Sequence, residues 1–302
     1  MEPATTEAAK AESSRVRAFY ELTKPGIAGY VTITAGASAF VASRGSLDLW
    51  LAINTMLGTG LATAGALALN QYAERETDAR MRRTKGRPIP SGRVSPAAAL
   101  YFSQVLLLSG LAYLTYMVSW VPAAVAATSA LAYQGVYTPL KSRSYAATLA
   151  GGVPGALPTL IGWSAATGAI EPAGFALFAI AYLWQLPHVL GLAWMLRDDY
   201  AIVGFKLIPA GGGRVIGMHM VTATAALLPT VVMPSVLGYT GPWYLGGALI
   251  ATTYFLWVTI GAARDMTDAA AKRVFMVSLV YHPALLGLML FDTVSFLSLI
   301  HI

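Results

Sequence analysis

Hydrophobic residues along this chain occur in runs of about 20, separated by short polar stretches. The strict alternation of polar and apolar positions that a membrane-spanning strand requires is absent from the sequence. A helix of about 20 residues crosses the hydrocarbon core of a bilayer, because each residue adds about 1.5 Å. The pattern therefore predicts nine transmembrane helices. They lie near residues 27–43, 50–72, 97–118, 120–139, 146–165, 173–196, 215–238, 243–263 and 274–298.

The composition supports an all-α membrane protein. Hydrophobic residues make up 56% of the 302 residues and charged residues only 11%, whereas a soluble domain carries about 25% charged residues. We predict a polytopic helix bundle around a central cavity, with residues 1–22 as a disordered cytoplasmic tail and residues 23–302 as one transmembrane domain. The chain has no cysteine, which excludes disulfides, thiolate catalysis and cysteine-ligated metal centres.

Basic residues fall almost entirely on one side of the predicted membrane. With the N-terminus in the cytoplasm and the loops assigned alternately, nineteen of the twenty Lys and Arg residues are inside and only Arg44 is outside. This distribution follows the positive-inside rule, so the net charge of +6 requires no nucleic-acid partner. We expect a multi-pass protein of a prokaryotic cell membrane whose N-terminus and polar loops are cytoplasmic.

A ladder of polar side chains closes the second predicted helix. Asn70, Glu74 and Asp78 are four residues apart and stack along one flank of a helix, about 6 Å between rungs. Such hard oxygen ligands suit Mg²⁺, which commonly binds one or two carboxylates together with substrate phosphates. The competing interpretation is a solvated helix end with charge pairs such as Glu76 with Arg80.

A second acidic cluster, Asp198 and Asp199, follows the sixth predicted helix on the same side. Together the clusters predict two walls of a site for Mg²⁺ and a diphosphate, whose metal-binding and catalytic residues are Asn70, Glu74, Asp78, Asp198 and Asp199. Basic groups nearby would neutralise a leaving diphosphate, although positive-inside loops also explain their presence. The candidate diphosphate-binding residues are Lys85, Arg87, Tyr137, Lys141, Arg197 and Lys206.

The histidines are isolated from one another in the sequence. A lone histidine in a membrane helix is more often hydrogen-bonded to a neighbour than bound to iron. His188 nevertheless lies ten residues before Asp198, which is about 15 Å deeper along a straight helix. That depth suits a large flat ligand above a diphosphate site.

The ladder resembles the first motif of the UbiA-type intramembrane prenyltransferases, N-x-x-x-[D/E]-x-x-x-D. Across nearly its whole length the chain is similar, more narrowly, to the protoheme IX farnesyltransferase (heme O synthase) branch. Glu74 stands where many relatives have Asp, and Leu196 and Tyr200 occupy the outer positions of the second motif, which leaves Asp198 and Asp199 as ligands. The stretches that carry the resemblance are Leu22–Pro25, Asn70–Pro96, Tyr137–Lys141, Gly151–Pro158, Ile161–Trp163, Trp184–His188, Arg197–Tyr200 and Arg273–Phe275.

The resemblance implies Mg²⁺-dependent transfer of a farnesyl group from farnesyl diphosphate to a vinyl group of protoheme IX (heme B). The product would be heme O for heme-copper oxidases, with water supplying a hydroxyl. The resemblance also implies heme contacts at His188 or His219, surrounding membrane lipid, and a downstream heme-modifying enzyme as a partner. Two alternatives stay open: another acceptor (a quinone, chlorophyll or lipid precursor), which Lys206 supports locally, and a non-enzymatic membrane heme carrier.

Overall fold

The computed structural model describes residues 15–46 and 48–300, with side chains up to residue 293. All regular elements in these ranges are helices. In chain order they are α1 (15–22), α2 (Pro25–Ala42), α3 (Leu49–Ala73), α4 (Arg75–Arg80), α5 (Pro96–Met117), α6 (Trp120–Leu131), a π-helix (Ala132–Tyr137), α7 (Thr138–Leu140), α8 (Ala146–Thr167), α9 (Pro172–Met195), α10 (Arg197–Val203), α11 (Gly212–Val236), α12 (Pro242–Arg264) and α13 (Asp268–Ile300).

Seven of the described helices are long and apolar enough to cross a membrane. They are α2, α3, α5, α9, α11, α12 and the Asp268–Thr293 part of α13. The other two predicted spans are also helical: the π-helix interrupts one of them after α6, and α8 is rich in glycine, proline and threonine. The predicted all-α membrane bundle is confirmed, and nine is an approximate count of its spans.

Side chains at the helix ends explain where the helices begin. The Asp48 side chain accepts a hydrogen bond from the backbone N–H of Trp50 at the start of α3, and side-chain acceptors of this kind satisfy the first unpaired N–H groups of a helix. Thr267 does the same for the N–H of Ala270 at 3.1 Å. This cap starts α13 at Asp268, earlier than the predicted start at 274, which was inferred from hydrophobicity alone.

Small residues allow the helices to approach closely. A Cβ placed on Gly110 of α5 would lie 2.3 Å from the backbone nitrogen of Ala62 on α3, and one on Gly162 of α8 would lie 1.8 Å from the carbonyl oxygen of Ala35 on α2. Helices in a membrane associate through close van der Waals packing, because the surrounding lipid is as apolar as their side chains. Glycine at these positions therefore allows α5 to pack closely against α3, and α8 against α2.

Asp292 has a structural role at the end of the bundle remote from the acidic clusters. Its side chain is fully buried, and Oδ2 accepts a hydrogen bond from the backbone N–H of Tyr244 at 2.8 Å. At the same end Arg44 donates to the carbonyl of Gly238 at 2.8 Å and lies over the ring of Tyr239. These contacts tie the first turn of α12 and the α11–α12 turn to neighbouring segments.

Residues 15–22 are helical, which differs from the predicted disordered tail. Ala18 and Leu22 are fully buried in a cluster with Ile89 and Val94, so hydrophobic burial orders this segment against the loop that follows α4. The remainder of the predicted tail, residues 1–14, lies outside the described residues.

Candidate active site

The two acidic clusters and the segment after α7 meet at one end of the bundle. Arg80 of α4 donates to the carbonyl of Ile202 on α10 at 2.7 Å. The backbone N–H of Arg83 points to Asp199 Oδ2 at 3.4 Å. The backbone N–H of Lys206 donates to the carbonyl of Lys141 at 2.6 Å. The segments that carry both clusters are therefore neighbours at this end of the bundle.

The polar ladder keeps its helical spacing although the helix is interrupted at its middle rung. Glu74 lies between α3 and α4 with a non-helical φ of −93° and ψ of 6°. Its N–H still donates to the carbonyl of Asn70 at 2.9 Å, and the N–H of Asp78 donates to the carbonyl of Glu74 at 2.8 Å. All three side chains are buried, so the ladder faces the protein and not solvent.

Each ladder carboxylate is paired with a cation from another segment. Lys141 Nζ lies 2.5 Å from Glu74 Oε1, and Arg87 Nη1 lies 2.6 Å from Asp78 Oδ2. A buried carboxylate requires such a partner, because its charge is costly away from water. The pairs bring two predicted diphosphate-binding residues into direct contact with two predicted metal ligands.

One carboxylate oxygen of the ladder's last rung lacks a partner in the described part of the chain. Asp78 Oδ1 is buried and has no hydrogen-bond partner among the described residues. A buried carboxylate oxygen without a partner is unfavourable unless a ligand completes it, and a hard oxygen suits Mg²⁺. The donor set thus fits the ion, although no group of three or more Asp, Glu or His side chains converges within the described residues.

The π-helix brings two further side chains to Asn70. The Tyr133 hydroxyl donates to Asn70 Oδ1 at 3.3 Å, and Asn70 Nδ2 donates to Thr138 Oγ1 at 3.1 Å. The Thr138 hydroxyl in turn donates to the carbonyl of Tyr133 at 2.8 Å, across the wide turn. π-helical turns are frequent at functional sites, and this one positions the first rung of the ladder.

Lys141 is held by an aromatic wall as well as by Glu74. Its ammonium lies 4.4 Å from the ring centroid of Tyr137 and 5.7 Å from that of Phe205, within cation–π range. Burial opposes the charged form, but Tyr137 and Glu74 outweigh it and hold the pKa of Lys141 above its usual value. Lys141 therefore stays positively charged.

Lys24 belongs to this site although the sequence alone assigned it no role. It precedes α2 in the left-handed conformation, with φ 46° and ψ 64°, which costs a residue other than glycine about 1–3 kcal/mol. Its ammonium makes no ion pair within the described residues. Burial lowers the pKa of Lys24 to about 7, and the positive charges of Arg87 and Lys141 act in the same direction. The negative charges of Glu74 and Asp78 oppose this shift but do not outweigh it.

Four predicted site residues do not join this cluster. Arg197 is paired with Asp268 at 2.6 Å and donates to the carbonyl of Trp194, so its charge is directed toward α13. The side chains of Asp198, Lys85 and Lys206 are exposed and make no hydrogen bond or ion pair with the rest of the described chain. Asp199 is half-buried and is the residue of the second acidic cluster that contacts the segment after α4.

Both histidines predicted to contact heme are half-buried in the described bundle. His188 Nδ1 lies 2.8 Å from the hydroxyl of Ser278 on α13. His219 Nδ1 lies 2.7 Å from the hydroxyl of Tyr145, just before α8. Each histidine is hydrogen-bonded to a neighbour, as isolated membrane histidines usually are.

Comparison with known proteins agrees with a prenyltransferase site within a membrane bundle. Residues 30–281 match the model of the UbiA prenyltransferase family, which covers more than half of the chain. The chain therefore belongs to the UbiA prenyltransferase family, a class of intramembrane enzymes.

Its relatives define the branch of that family more narrowly. The protoheme IX farnesyltransferase of Solibacter usitatus is 37% identical over 288 residues, covering 92% of this chain and 99% of that protein. The protein of the same name from Salinibacter ruber is 40% identical over 274 residues, covering 90% and 96%. The chain belongs with these relatives in the protoheme IX farnesyltransferase branch.

Solved structures agree on the fold. A digeranylgeranylglyceryl phosphate synthase superposes with a TM-score of 0.79 at 17% identity, covering 93% of this chain and 99% of that chain. A UbiA homologue from Archaeoglobus fulgidus bound to GPP and Mg²⁺ gives a TM-score of 0.65 at 13% identity, covering 90% and 99%. At these identities the likeness concerns the arrangement of the helices.

Proposed function

We propose that this protein transfers a farnesyl group from farnesyl diphosphate to a vinyl group of heme B, giving heme O, and that the reaction depends on Mg²⁺. The observation that carries the proposal is the buried ladder with its two cation pairs and with Asp78 Oδ1, which has no hydrogen-bond partner among the residues that the structure describes. Relatives named protoheme IX farnesyltransferase support the choice of substrates.

The ladder and the second acidic cluster would hold the metal. When bound, Mg²⁺ neutralises the diphosphate oxygens and so favours departure of the leaving group. Tyr133 and Thr138 fix the Asn70 amide, so its oxygen keeps one direction. The metal-holding residues in this proposal are Asn70, Glu74, Asp78 and Asp199, and Asp198, exposed at the start of α10, is the remaining candidate.

Cations around the ladder would bind the diphosphate itself. Arg87 and Lys141 are pre-positioned by Asp78 and Glu74, and they would be free to bind phosphate oxygens with those carboxylates holding the ion. Lys24 makes no ion pair within the described residues, so a bound diphosphate would supply a partner for its protonated form. Charge-assisted hydrogen bonds of this kind are the strongest that side chains offer to phosphate. Tyr137 contacts Lys141 in the same cluster. Lys85, Arg197 and Lys206 are the other candidate diphosphate-binding residues, and in the ligand-free chain their side chains are exposed or, for Arg197, paired with Asp268.

The apolar interior would direct the reaction to the heme. The C1–O bond of the farnesyl group breaks with its electron pair leaving on the diphosphate, and a new carbon–carbon bond forms to the heme vinyl. Water adds to the resulting cation and loses a proton, which completes the hydroxyl. Membrane-buried walls around the allylic carbon exclude other water until that bond has formed. His188 and His219 are the candidate heme contacts.

The orientation in the membrane is part of the proposal. The end of the bundle that carries the ladder also carries the segments with eighteen of the nineteen described Lys and Arg residues. The positive-inside rule assigns this end to the cytoplasm of a prokaryotic cell, where diphosphate substrates and Mg²⁺ are available.

Reconstitution tests the reaction. The purified protein is incubated in lipid with heme B, farnesyl diphosphate and Mg²⁺, and the hemes are analysed by mass spectrometry. We expect a hydroxyethylfarnesyl heme and one equivalent of pyrophosphate, both abolished by EDTA. Folded protein that yields no such heme but prenylates a quinone, chlorophyll or lipid precursor would contradict the choice of acceptor. Heme binding without any release of pyrophosphate would support a heme carrier instead.

A further inference from the structure

A stack of four nearly parallel rings joins α9 to α13 inside the bundle. In order it contains His282, Trp184, His188 and Phe275, with centroid separations of 4.4, 5.4 and 4.8 Å and interplanar angles of 23°, 28° and 27°. The indole of Trp184 is fixed by a hydrogen bond from Nε1 to the carbonyl of Ser278 at 2.7 Å. Packed between Trp184 and Phe275, the His188 ring has a restricted orientation.

The hydrogen bonds of Ser278 determine which nitrogen of His188 carries the proton. The Ser278 hydroxyl donates its single hydrogen to the carbonyl of Phe275 at 2.6 Å. It is therefore an acceptor toward His188 Nδ1, 2.8 Å away, because a hydroxyl has one hydrogen to donate. Nδ1 must carry the ring proton, and Nε2 keeps its lone pair. Nε2 has no hydrogen-bond partner among the described residues.

We propose that His188 Nε2 is the axial ligand of the heme iron. The inference rests on the proposed function, in which heme B is the acceptor. A metal-binding histidine typically donates its other ring N–H to an oxygen, which fixes both the tautomer and the ring orientation. The Ser278 hydroxyl oxygen accepts this hydrogen bond from His188, and the ring stack restricts the plane of the imidazole.

The other two described histidines lack this arrangement. His282 is only 3% exposed, beneath Trp184 and against the Tyr30 hydroxyl, so a macrocycle has no access to it. His219 contacts a tyrosine hydroxyl that either donates or accepts, which leaves its tautomer undetermined. Its ring meets Tyr145 at a tilt of 37° and has no second stacking partner among the aromatic contacts of the described chain.

An iron ligand at His188 would fix the acceptor at one depth below the diphosphate. His188 lies seven residues before α9 ends at Met195, which is about 10 Å along that helix, and Asp198 follows in the first turn of α10. The iron–nitrogen bond would set the distance of the macrocycle from α9, leaving a vinyl group at its edge to meet the farnesyl carbon. His188 would thus be a positioning residue for the transfer.

The test separates binding of the iron from binding of the porphyrin. The full chain, purified in detergent, is titrated with heme B and, as a matched ligand, with iron-free protoporphyrin IX. We expect His188→Ala to weaken heme binding at least about tenfold and to remove the iron–histidine stretch from the resonance Raman spectrum of the ferrous complex. Its affinity for iron-free protoporphyrin should stay unchanged. His188→Gly with added imidazole should regain the wild-type spectrum.

The Ser278→Ala variant tests the tautomer argument. It keeps His188 but removes the acceptor on Nδ1, so we expect heme affinity to fall by about tenfold and the iron–histidine stretch to shift to lower frequency. An unchanged spectrum in His188→Ala, or loss of the stretch in His219→Ala instead, would overturn the assignment. Equal loss of affinity for heme and protoporphyrin in His188→Ala would also overturn it, since that is the result of a packing defect.

Prenyl transfer by the wild type is measured in the same preparations. Formation of heme O with an iron signal that does not depend on His188 would refute this inference alone. Absence of heme O from wild-type protein would refute the proposed function.

Discussion

At the residue scale, the proposed chemistry depends on carboxylates that are buried and already paired. Asp78 is the sharpest case, because one oxygen is held by Arg87 while the other has no partner within the described residues. Glu76, two residues earlier, is exposed and contacts only its neighbour Arg75. The two acids share a short helix but differ completely in environment.

This difference gives a matched pair of variants. Asp78→Asn keeps the shape of the side chain and removes its charge, so we expect prenyl transfer to fall by at least about 100-fold, because metal-ion catalysis supplies several kcal/mol. Glu76→Gln should retain nearly full activity. Rates are measured from heme O formation, with circular dichroism as the check on folding. Comparable rates in both variants would remove Asp78 from the metal site.

We predict that Lys24 takes up a proton when a diphosphate binds. Its pKa of about 7 means that it is largely neutral in the ligand-free chain between about pH 8 and its ordinary pKa of 10.5. A diphosphate beside it opposes the repulsion from Arg87 and Lys141 and adds to the attraction of Glu74 and Asp78, so binding raises its pKa and protonates it.

Calorimetry in buffers of different ionisation enthalpy measures this uptake. Binding of Mg²⁺-pyrophosphate to the wild type near pH 8.5 should take up about one proton more than binding to Lys24→Met. The exposed Lys272→Met variant should behave as the wild type. Equal proton uptake in all three proteins would show that Lys24 does not face the diphosphate.

Sequence patterns revealed only some of these residues. The ladder was predictable because four-residue spacing survives the break at Glu74. Lys24 was not, because its role depends on a left-handed turn that brings it toward Arg87 and Lys141. The pairing of Glu74 with Lys141, 67 positions away, likewise depends on tertiary structure. Arg197 forms an ion pair with Asp268. Its position next to Asp198 in the sequence could not indicate this distant partner.

At the element scale, the π-helix and the residues that follow it, up to Lys141, connect to the ladder. Its wide turn allows Tyr133 and Thr138 to reach Asn70 while Lys141 reaches Glu74. Hydrophobicity predicted one uninterrupted span here, because a π-turn leaves no trace in the spacing of apolar residues. The site contacts of Tyr133 and Thr138 were missed for the same reason.

Deleting Gly135 should convert this turn to an ordinary α-helix. An α-helix bonds each N–H four residues back, whereas a π-turn bonds it five residues back. The deletion would therefore remove the wide turn through which Tyr133 and Thr138 reach Asn70 while Lys141 reaches Glu74. We expect at least about a 100-fold loss of activity. Gly135→Ala should be nearly neutral, because a Cβ there meets nothing within 4 Å. An active deletion variant would show that the wide turn is dispensable.

The α3–α5 contact predicts a stability effect separate from the chemistry. Gly110→Val would force a Cβ against the backbone of Ala62 at 2.3 Å, and overpacking of this kind costs about 1–3 kcal/mol. The apparent midpoint of thermal unfolding in detergent should fall. Gly246→Val on α12 is the control, since its Cβ would have no neighbour within 4 Å. Equal midpoints for both variants would contradict the close packing of α3 and α5.

At the scale of the whole molecule, the architecture follows from long apolar segments and the charges between them. The hydrophobic pattern located the membrane helices because lipid requires every backbone group to be bonded within a helix. It placed the start of α13 too late and treated residues 15–22 as disordered. In both cases local contacts, the Thr267 cap and the burial of Leu22, extend order beyond the apolar core.

The predicted orientation can be tested by labelling single introduced cysteines, because the chain has no cysteine of its own that would react. Gly86→Cys lies beside the ladder and Ser46→Cys at the opposite end, and both positions are exposed. In intact cells a membrane-impermeant maleimide should label Ser46→Cys alone, and cell lysis should make Gly86→Cys reactive. Labelling of Gly86→Cys in intact cells would reverse the topology.

The two ion pairs of the ladder also bear on turnover after the reaction. In the proposed reaction, Glu74 and Asp78 would regain Lys141 and Arg87 after pyrophosphate departs, so the emptied site would compensate its own charge and not retain the by-product. Rebinding of pyrophosphate, or entry of a lone divalent ion, must first separate these partners. Such self-neutralisation would favour joint arrival of ion and substrate and would limit product inhibition.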